Sequence, residues 1–205
     1  MRRPDFERAK AYALERLARE LPAELAYHSL AHTRDDVGPA TLRFARLAGV
    51  YGQNQMLLLT AAYYHDIGFV VRRADHEAAS AQIAAEVLPE FGYSASQVAT
   101  IEGMIMATKL PQSPCTPLEQ LLADADLDAL GRADFFTRNQ ALRDELAAYG
   151  TRCDDLNWYS DQLRFLAAHQ YWTNAARLVR EEQKRRNIAL LIELIAAAAA
   201  RTGRE

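Results

Sequence analysis

The chain has 205 residues, of which 50% are hydrophobic and 25% charged, and its formal net charge is -3. A chain of this length and apolar content buries a genuine core in one compact domain, which argues against intrinsic disorder. Its 24 basic residues are spread among 27 acidic ones. No polybasic block therefore indicates nucleic acid or an anionic membrane as a partner, and a small molecule fits better.

Cysteine usage and hydropathy both favour a cytoplasmic protein that does not enter a membrane. Cys115 and Cys153 stand alone, without the CxxC spacing of a thiolate zinc site or a disulfide framework. The N-terminus MRRPDFERAK is charged from the start. The longest apolar run, residues 188–200, is interrupted by Glu193 and falls short of the roughly 20 residues that a spanning helix needs.

Apolar residues recur at helical spacing along most of the chain, and alternating runs of the strand type are almost absent. We therefore predict an all-α fold of about eight helices. Breakers of the helical pattern occur at Pro22, Gly52, Gly68, Gly92, residues 111–117, Gly131 and Gly150.

The first predicted helix covers about residues 5–20 and has one apolar face, so it is expected to pack on the core as a lid. Gly38 and Pro39 interrupt the next helical pattern, where proline should kink or split the helix. The last segment, about 171–200, is predicted to be a long amphipathic helix whose charged stretch EEQKRR is solvated.

The segment YHSLAHT at residues 27–33 places His28 and His32 four residues apart. On one helix they would share a face and could address the same pocket. One core histidine and one surface histidine is an equally favoured interpretation of this pair alone.

His65 and Asp66 follow the apolar run MLLLTAAYY and precede Gly68, which has the position of a helix C-cap glycine. Both side chains should then lie in a final helical turn, where free carbonyls and the helix dipole favour a cation. Neighbouring helical side chains diverge by roughly 100°, close to the angle between adjacent ligands of an octahedral ion. The alternative is an aspartate that orients a structural histidine.

The third informative segment, LLADADLDALG at residues 121–131, contains Asp124, Asp126 and Asp128. A predicted buried stripe at helical spacing comprises Leu118, Leu121, Leu122, Ala125 and Ala129. Asp126 lies at the flank of this stripe, whereas Asp124 and Asp128 face away and are expected to be solvated. A buried carboxylate needs a cation or several hydrogen bonds, and a metal ion at Asp126 would meet that need.

His32, His65, Asp66 and Asp126 together form a ligand set compatible with one divalent ion of manganese, iron, cobalt, nickel or zinc. Two imidazoles and two carboxylates leave positions open on an octahedral ion. Open positions indicate catalysis, because a bound ion lowers the pKa of a water ligand and polarises a phosphoryl oxygen.

The three segments together resemble the HD-domain superfamily of metal-dependent phosphohydrolases, whose pattern is a histidine, a His-Asp doublet in the next helix and a distant aspartate. His32 matches the first histidine, His65 and Asp66 the doublet, and Asp126 the last aspartate. The resemblance implies a helical bundle around a central ion and hydrolysis of a nucleotide or other small phosphate ester.

Five other residues near the motifs are candidates for the same site. His28 is similar to the histidine that cyclic-nucleotide phosphodiesterases place beside the metal as general acid. His76 resembles a ligand of two-metal members, although the later histidines of that pattern are missing from MIMATKLPQS, so one tightly held ion is favoured. His76 and Glu77 would then line the pocket or support a weak second ion. Lys109, with Arg73 as a second choice, is the preferred cation for the phosphate group.

The resemblance covers residues 24–131, which we take as the HD-like metal-binding core of a single domain, 1–205. Residues 132–205 form a C-terminal helical extension without a recognisable family motif. Its apolar last helix would either pair in a homodimer or cover its own core. Two other functions stay open: a non-catalytic sensor that binds a metal and a nucleotide, and a di-iron oxygenase, which would need the missing histidines.

Overall fold

The structure is a computed structural model that describes residues 4–202, and all regular secondary structure within this range is helical. The all-α prediction is therefore confirmed. The α-helices of the described range are α1 (Phe6–Glu20), α2 (Gly38–Leu47), α3 (Gly52–Tyr64), α4 (His76–Val87), α5 (Ala95–Met106), α6 (Pro117–Asp126), α7 (Phe135–Ala148), α8 (Asp155–Ala168) and α9 (Asn174–Thr202). A π-helix (His32–Val37) and 3-10 turns at Ile67–Val70, Leu88–Phe91 and Asp128–Gly131 complete them.

Helix α1 lies close to its predicted position and packs against α3. The Asp5 carboxylate accepts a hydrogen bond from the backbone N–H of Arg8 at 3.2 Å and so caps the helix. The hydroxyl of Tyr64, in α3, donates to the carbonyl of Ala9 at 3.0 Å. The apolar face of α1 is buried in this contact, so it covers the core as expected.

The chain passes Gly38 and Pro39 without a split, and the helix changes there from π-helical to α-helical geometry. The π-helix His32–Val37 continues directly into α2, and Pro39 lies in the first turn of α2, where its missing N–H costs little. A Cβ atom on Gly38 would lie 3.0 Å from the hydroxyl oxygen of Tyr63. The glycine therefore allows close packing of α2 on α3.

Two groups of buried apolar side chains hold the molecule together. The larger lies among α1 to α6 and extends to Tyr171 and the first turn of α9. The smaller joins the extension to the end of the core and comprises Leu130, Phe135, Leu166 and Leu191. The second group places α7 and α8 beside the end of α6.

Helix α9 departs from its prediction in one respect, because the stretch EEQKRR is not uniformly solvated. Lys184 is buried, and its ammonium lies 3.2 Å from Nδ1 of His169. Asn187 is buried as well and donates to the carbonyl of Leu130 at 2.9 Å. Across residues 4–202 no helix is both long and apolar enough to cross a membrane.

Candidate metal centre and the adjoining cavity

The structure brings the four predicted ligands together from three parts of the chain. His32 begins the π-helix, His65 follows the last residue of α3, and Asp126 ends α6. Nε2 of His65 lies 3.2 Å from Oδ2 of Asp66 and 3.3 Å from Oδ1 of Asp126. Nε2 of His32 lies 3.6 Å and 3.4 Å from the same two oxygens.

Three of these atoms are buried and lack a hydrogen-bond partner within the described chain: Nε2 of His32, Nε2 of His65 and Oδ2 of Asp66. Their mutual contacts are at ion-pair distance but do not have hydrogen-bond geometry. Unpartnered buried polar atoms are costly, so a cluster of them indicates a missing partner. Ligands at about 2.1 Å from one ion stand about 3.0 to 3.4 Å apart. Three of the four separations lie in this range, and the fourth, 3.6 Å between His32 and Asp66, is slightly longer. The residues therefore fit a divalent metal ion.

The imidazole of His65 is oriented for such an ion. Its Nδ1 lies 2.8 Å from the carbonyl oxygen of Ala62, which can only accept, so Nδ1 carries the hydrogen. Nε2 is therefore the atom that faces the cluster and that can bind an ion once its proton is displaced. Backbone geometry thus selects the tautomer that a metal ligand requires.

Asp126 completes the cluster from the side of the cavity. His32, His65 and Asp66 form the only three-residue group of potential ligands within residues 4–202 whose ligand atoms all lie within 4.8 Å of one another. Asp126 stands beside both imidazoles and keeps 18% of its side chain exposed. It therefore separates the buried ligands from the open cavity.

The pKa values of His65 and Asp126 show that the carboxylates of the cluster stabilise positive charge beside them. Burial alone would lower the pKa of His65, but Asp66 and Asp126 raise it, and the net pKa lies well above the ordinary value. Burial alone would raise the pKa of Asp126, but its contacts with His32 and His65 lower that pKa to about 2. Without a metal ion the carboxylates hold a proton on His65, and an ion would displace it.

The doublet is not in a capped final helical turn, so that prediction was wrong. Helix α3 ends at Tyr64, and Asp66 leaves the helical conformation with φ -106° and ψ 4°. Gly68 lies inside the following 3-10 turn, where a Cβ would come 2.0 Å from the carbonyl oxygen of His76. Its N–H donates to the hydroxyl of Ser80 at 2.8 Å. The glycine therefore allows contact with α4 rather than capping α3.

Asp124 and Asp128 are buried, which contradicts the prediction that they are solvated. Asp124 accepts hydrogen bonds from the backbone N–H groups of Trp172 and Thr173 at 2.7 and 2.8 Å, just before α9. Asp128 binds the guanidinium of Arg180 at 2.5 and 2.8 Å. The partners of these two aspartates lie 48, 49 and 52 residues further along the chain. Helical periodicity within α6 could not reveal them.

His28 lies in the bend before the π-helix, so it does not share a helical face with His32 as expected. Their ring centroids are nevertheless 6.0 Å apart, and the ring of His28 stacks on Phe69 at 4.6 Å. Its Nδ1 lies 2.6 Å from Oε1 of Glu145, a buried residue of α7. Oε2 of Glu145 accepts from the backbone N–H groups of Tyr27 and His28 at 2.9 and 3.0 Å.

His76 and Glu77, at the start of α4, both line the cavity. Nε2 of His76 lies 3.3 Å from Oδ1 of Asp66, the oxygen opposite the one that faces His65. The ring of His76 stacks on Phe69 with 3.9 Å between centroids. Asp66 therefore connects the buried cluster to a third imidazole.

Neither predicted phosphate-binding cation lies in the wall of the cavity beside Asp66 and Asp126, although Arg73 lines a neighbouring depression with His28 and His76. Lys109 is about half exposed, forms an ion pair with Asp75, and is absent from the cavity wall. The guanidinium of Arg73 lies over the ring of Tyr149, 4.5 Å from its centroid. Among the described residues lining the cavity, Arg138 is the single lysine or arginine. Its guanidinium already binds Asp36 at 2.9 Å.

A cavity of about 400 Å³ opens beside the cluster, and Asp66, His76 and Asp126 form part of its wall. Such a volume suits a small organic ligand. Helices α7 and α8 supply the side of the wall that motif analysis missed, including Phe135, Arg138, Asn139, Leu142, Gln162 and Phe165. These residues belong to no short sequence motif. Only their common position in the cavity wall identifies them as part of the site.

An all-α bundle with a buried histidine-aspartate cluster at its centre defines a class of metal-binding helical domains. Within that class, residues 40–129 match the HD domain family. This match supports the HD-domain resemblance that the motifs predicted, for the part of the chain that it covers.

The fold has a counterpart among solved structures. A predicted HD superfamily hydrolase from an uncultured Thermotogales bacterium aligns with a TM-score of 0.63 and 19% sequence identity over 95% of this chain and 93% of that one. The likeness therefore includes the C-terminal extension as well as the core. No curated protein matches the sequence significantly.

Proposed function

We propose that this protein is a metal-dependent phosphohydrolase that acts on a nucleotide or another small phosphate ester. The observation that carries the proposal is the set of three buried, unpartnered ligand atoms on His32, His65 and Asp66 beside an open cavity. The match of residues 40–129 to the HD domain family supports a metal-dependent hydrolase, as does the description of the structural neighbour as a predicted hydrolase.

His32, His65, Asp66 and Asp126 would hold one divalent ion, from manganese, iron, cobalt, nickel or zinc. When bound, the ion supplies a water ligand of lowered pKa and a positive charge for a phosphoryl oxygen. His76 and Glu77 line the cavity next to Asp66, where a weaker second ion stays a prediction. Asp126, at the boundary of cluster and cavity, would place the ion within reach of a substrate.

His28 is suited to protonate the leaving oxygen of the ester. The Glu145 carboxylate can only accept, so Nδ1 of His28 carries a hydrogen and Nε2 is left for the cavity side. Burial by itself lowers the pKa of His28, but Glu145, Asp66 and Asp126 raise it, and the net shift is upward. The imidazole therefore stays protonated to a higher pH than a free histidine, as a general acid requires.

Glu145 holds this proton donor in place and, through the backbone N–H groups of Tyr27 and His28, also fixes the bend that carries it. The carboxylate comes from α7, outside the region matched by the HD family. The extension would thus contribute to the chemistry as well as to the cavity.

The proposal is tested by stripping the protein with a chelator and adding back Mn²⁺, Co²⁺ or Ni²⁺. Each form is assayed for phosphate release from nucleoside monophosphates, p-nitrophenyl phosphate and bis(p-nitrophenyl) phosphate. Metal-dependent turnover that is lost in Asp126→Ala supports the proposal. Tight nucleotide binding without turnover under any metal would replace it with the sensor, and two irons per chain would replace it with the oxygenase.

A further inference from the structure

A chain of three hydrogen-bonding side chains runs through α7 and α8 to the cavity. The indole N–H of Trp158, a buried residue, donates to Oδ1 of Asn139 at 2.7 Å. Nδ2 of Asn139, also buried, donates to Oε1 of Gln162 at 2.6 Å. Asn139 and Gln162 both line the cavity.

The order of donors along this chain leaves only one orientation for each amide. An indole nitrogen can only donate, so the oxygen of Asn139 must face Trp158 and its NH₂ group must face Gln162. The oxygen of Gln162 must then receive that hydrogen bond, because two NH₂ groups would repel each other. Nε2 of Gln162 has no hydrogen-bond partner within residues 4–202. Two N–H donors therefore remain free at the end of this chain of side chains, which we call the amide relay.

These N–H donors lie in a part of the molecule where the cavity wall is largely apolar. Leu127, Leu130, Phe135, Leu142 and Phe165 contribute the neighbouring cavity surface. An amide donor among apolar side chains favours a ligand that offers an acceptor there, since otherwise its hydrogen-bonding capacity is lost on binding. The same wall gives an apolar organic group a surface on which to pack.

Among the aspartate, glutamate, lysine and arginine residues of the described wall, negative charge predominates, which disfavours a long anionic substrate. Glu77 and Asp161 are acidic, and Arg138 is already bound to Asp36. A polyphosphate would therefore meet carboxylates without a matching set of free cations. One phosphate group at the metal cluster avoids this conflict.

We propose that Gln162 selects the substrate by donating a hydrogen bond to an uncharged acceptor on its organic group. The inference rests on the proposed function and narrows it. The substrate class is a phosphate monoester whose organic group is mainly apolar and carries a carbonyl oxygen or a ring nitrogen. Asn139 and Trp158 are positioning residues, because they act on the substrate only by orienting Gln162.

The experiment uses two phosphonates that cannot be hydrolysed and differ at one group. (4-Acetylbenzyl)phosphonate carries a carbonyl acceptor, and (4-isopropylbenzyl)phosphonate has a similar shape without it. Binding of each to the Mn²⁺-loaded protein is measured by calorimetry. We expect the acetyl compound to bind about tenfold more tightly, the range of one neutral hydrogen bond.

Three substitutions locate the source of this preference. Gln162→Leu should remove the tenfold difference, and Gln162→Glu should abolish it as well, because the carboxylate accepts from Asn139 but repels the carbonyl. Trp158→Phe should reduce it, since Asn139 is then free to rotate. Gln140→Leu, an exposed position on α7 outside the cavity wall, is the matched control and should keep it.

Equal binding of the two phosphonates to the unsubstituted protein would overturn the inference, as would an equal loss for both in Gln162→Leu. The proposed function has its own readout, phosphate release from esters. A protein that discriminates between the phosphonates but hydrolyses no ester would overturn the proposed function while retaining the donor role of Gln162. Hydrolysis of an ester without discrimination between the phosphonates would support the proposed function and overturn the donor role of Gln162.

Discussion

Oε1 of Glu145 lies 2.6 Å from Nδ1 of His28, although the two residues are 117 positions apart in the chain. The contact joins helix α7 of the extension to the bend that precedes the π-helix. A buried carboxylate paired with an imidazole at the edge of a cavity is an arrangement that tunes a proton donor. We therefore expect the pH dependence of turnover to depend on this pair.

Replacing Glu145 with glutamine should lower kcat and move the basic limb of the pH–rate profile to lower pH. The carboxylate raises the pKa of His28, so its loss lowers that pKa and the protonated imidazole persists over a narrower range. His28→Gln should cost about 100-fold or more in kcat, the usual scale of general-acid catalysis. Glu90→Gln, at an exposed position, is the control. A profile unchanged in Glu145→Gln would leave His28 without a role as acid.

Metal binding should stabilise the fold. At a free ion concentration of a hundred times Kd, the free energy of unfolding should rise by about 2.7 kcal/mol. Thermal unfolding of chelator-treated protein, with and without Mn²⁺, measures the difference. His65→Ala should abolish it, because Nε2 of His65 is one of the unpartnered atoms. His169→Gln, away from the cluster, should preserve it. Stabilisation that persists in His65→Ala would place the ion elsewhere.

The affinity for the ion should rise with pH beyond the point at which an ordinary histidine has lost its proton. In the metal-free protein the pKa of His65 is raised well above 6.5, so a proton competes with the ion up to that higher pH. If one proton is displaced, affinity rises about tenfold per pH unit below the raised pKa. Calorimetric titration with Mn²⁺ between about pH 6 and 8 measures the slope. A plateau that starts at the ordinary pKa would contradict the prediction.

The three aspartates of the α6 segment should separate into two functional groups. Asp126→Ala should lose the ion. Asp124→Ala should keep the ion but lower the free energy of unfolding by about 2 to 3 kcal/mol, because it leaves the N–H groups of Trp172 and Thr173 without their acceptor. Metal content and urea unfolding distinguish the two. Identical behaviour of both variants would overturn the assignment.

Gly68→Ala should destabilise the protein by about 3 kcal/mol or more. The new Cβ would lie 2.0 Å from a backbone carbonyl of α4, which cannot move without displacing the helix. Gly103→Ala is the control, because its Cβ would meet only the Glu119 side chain at 3.3 Å and alanine favours a helix. Unfolding in urea compares the two variants. Equal stabilities would show that the contact at Gly68 relaxes easily.

The helical class and the positions of the cluster residues were predictable because both depend on local patterns. Apolar periodicity reveals helices, and short apolar segments carry His32, His65 and Asp66 into the interior. The expectation that Asp126 is the buried aspartate of its segment is wrong, although Asp126 does lie in the cluster. It is the least buried of the three aspartates in its segment and meets the imidazoles from the cavity side.

The remaining site residues depend on contacts between distant parts of the chain. Glu145, Asn139 and Gln162 reach the cavity only because the extension packs beside the end of α6, and no short motif marks them. For the same reason the partners of Asp124 and Asp128 were invisible to periodicity. Lys109 was chosen for its place in the sequence, but its ammonium is held by Asp75 on the outer surface.

The residues of the amide relay in α7 and α8 can change without any change to the residues that would hold the ion. The side chains that would hold the ion come from residues 32 to 126, whereas Asn139 and Gln162 lie beyond them in the chain. Exchanging a few residues in two helices can therefore redirect the preference for an organic group while the ion's ligands are left untouched. Evolution, or a designer, can therefore reach new substrates by changing residues that hold neither the ion nor His28.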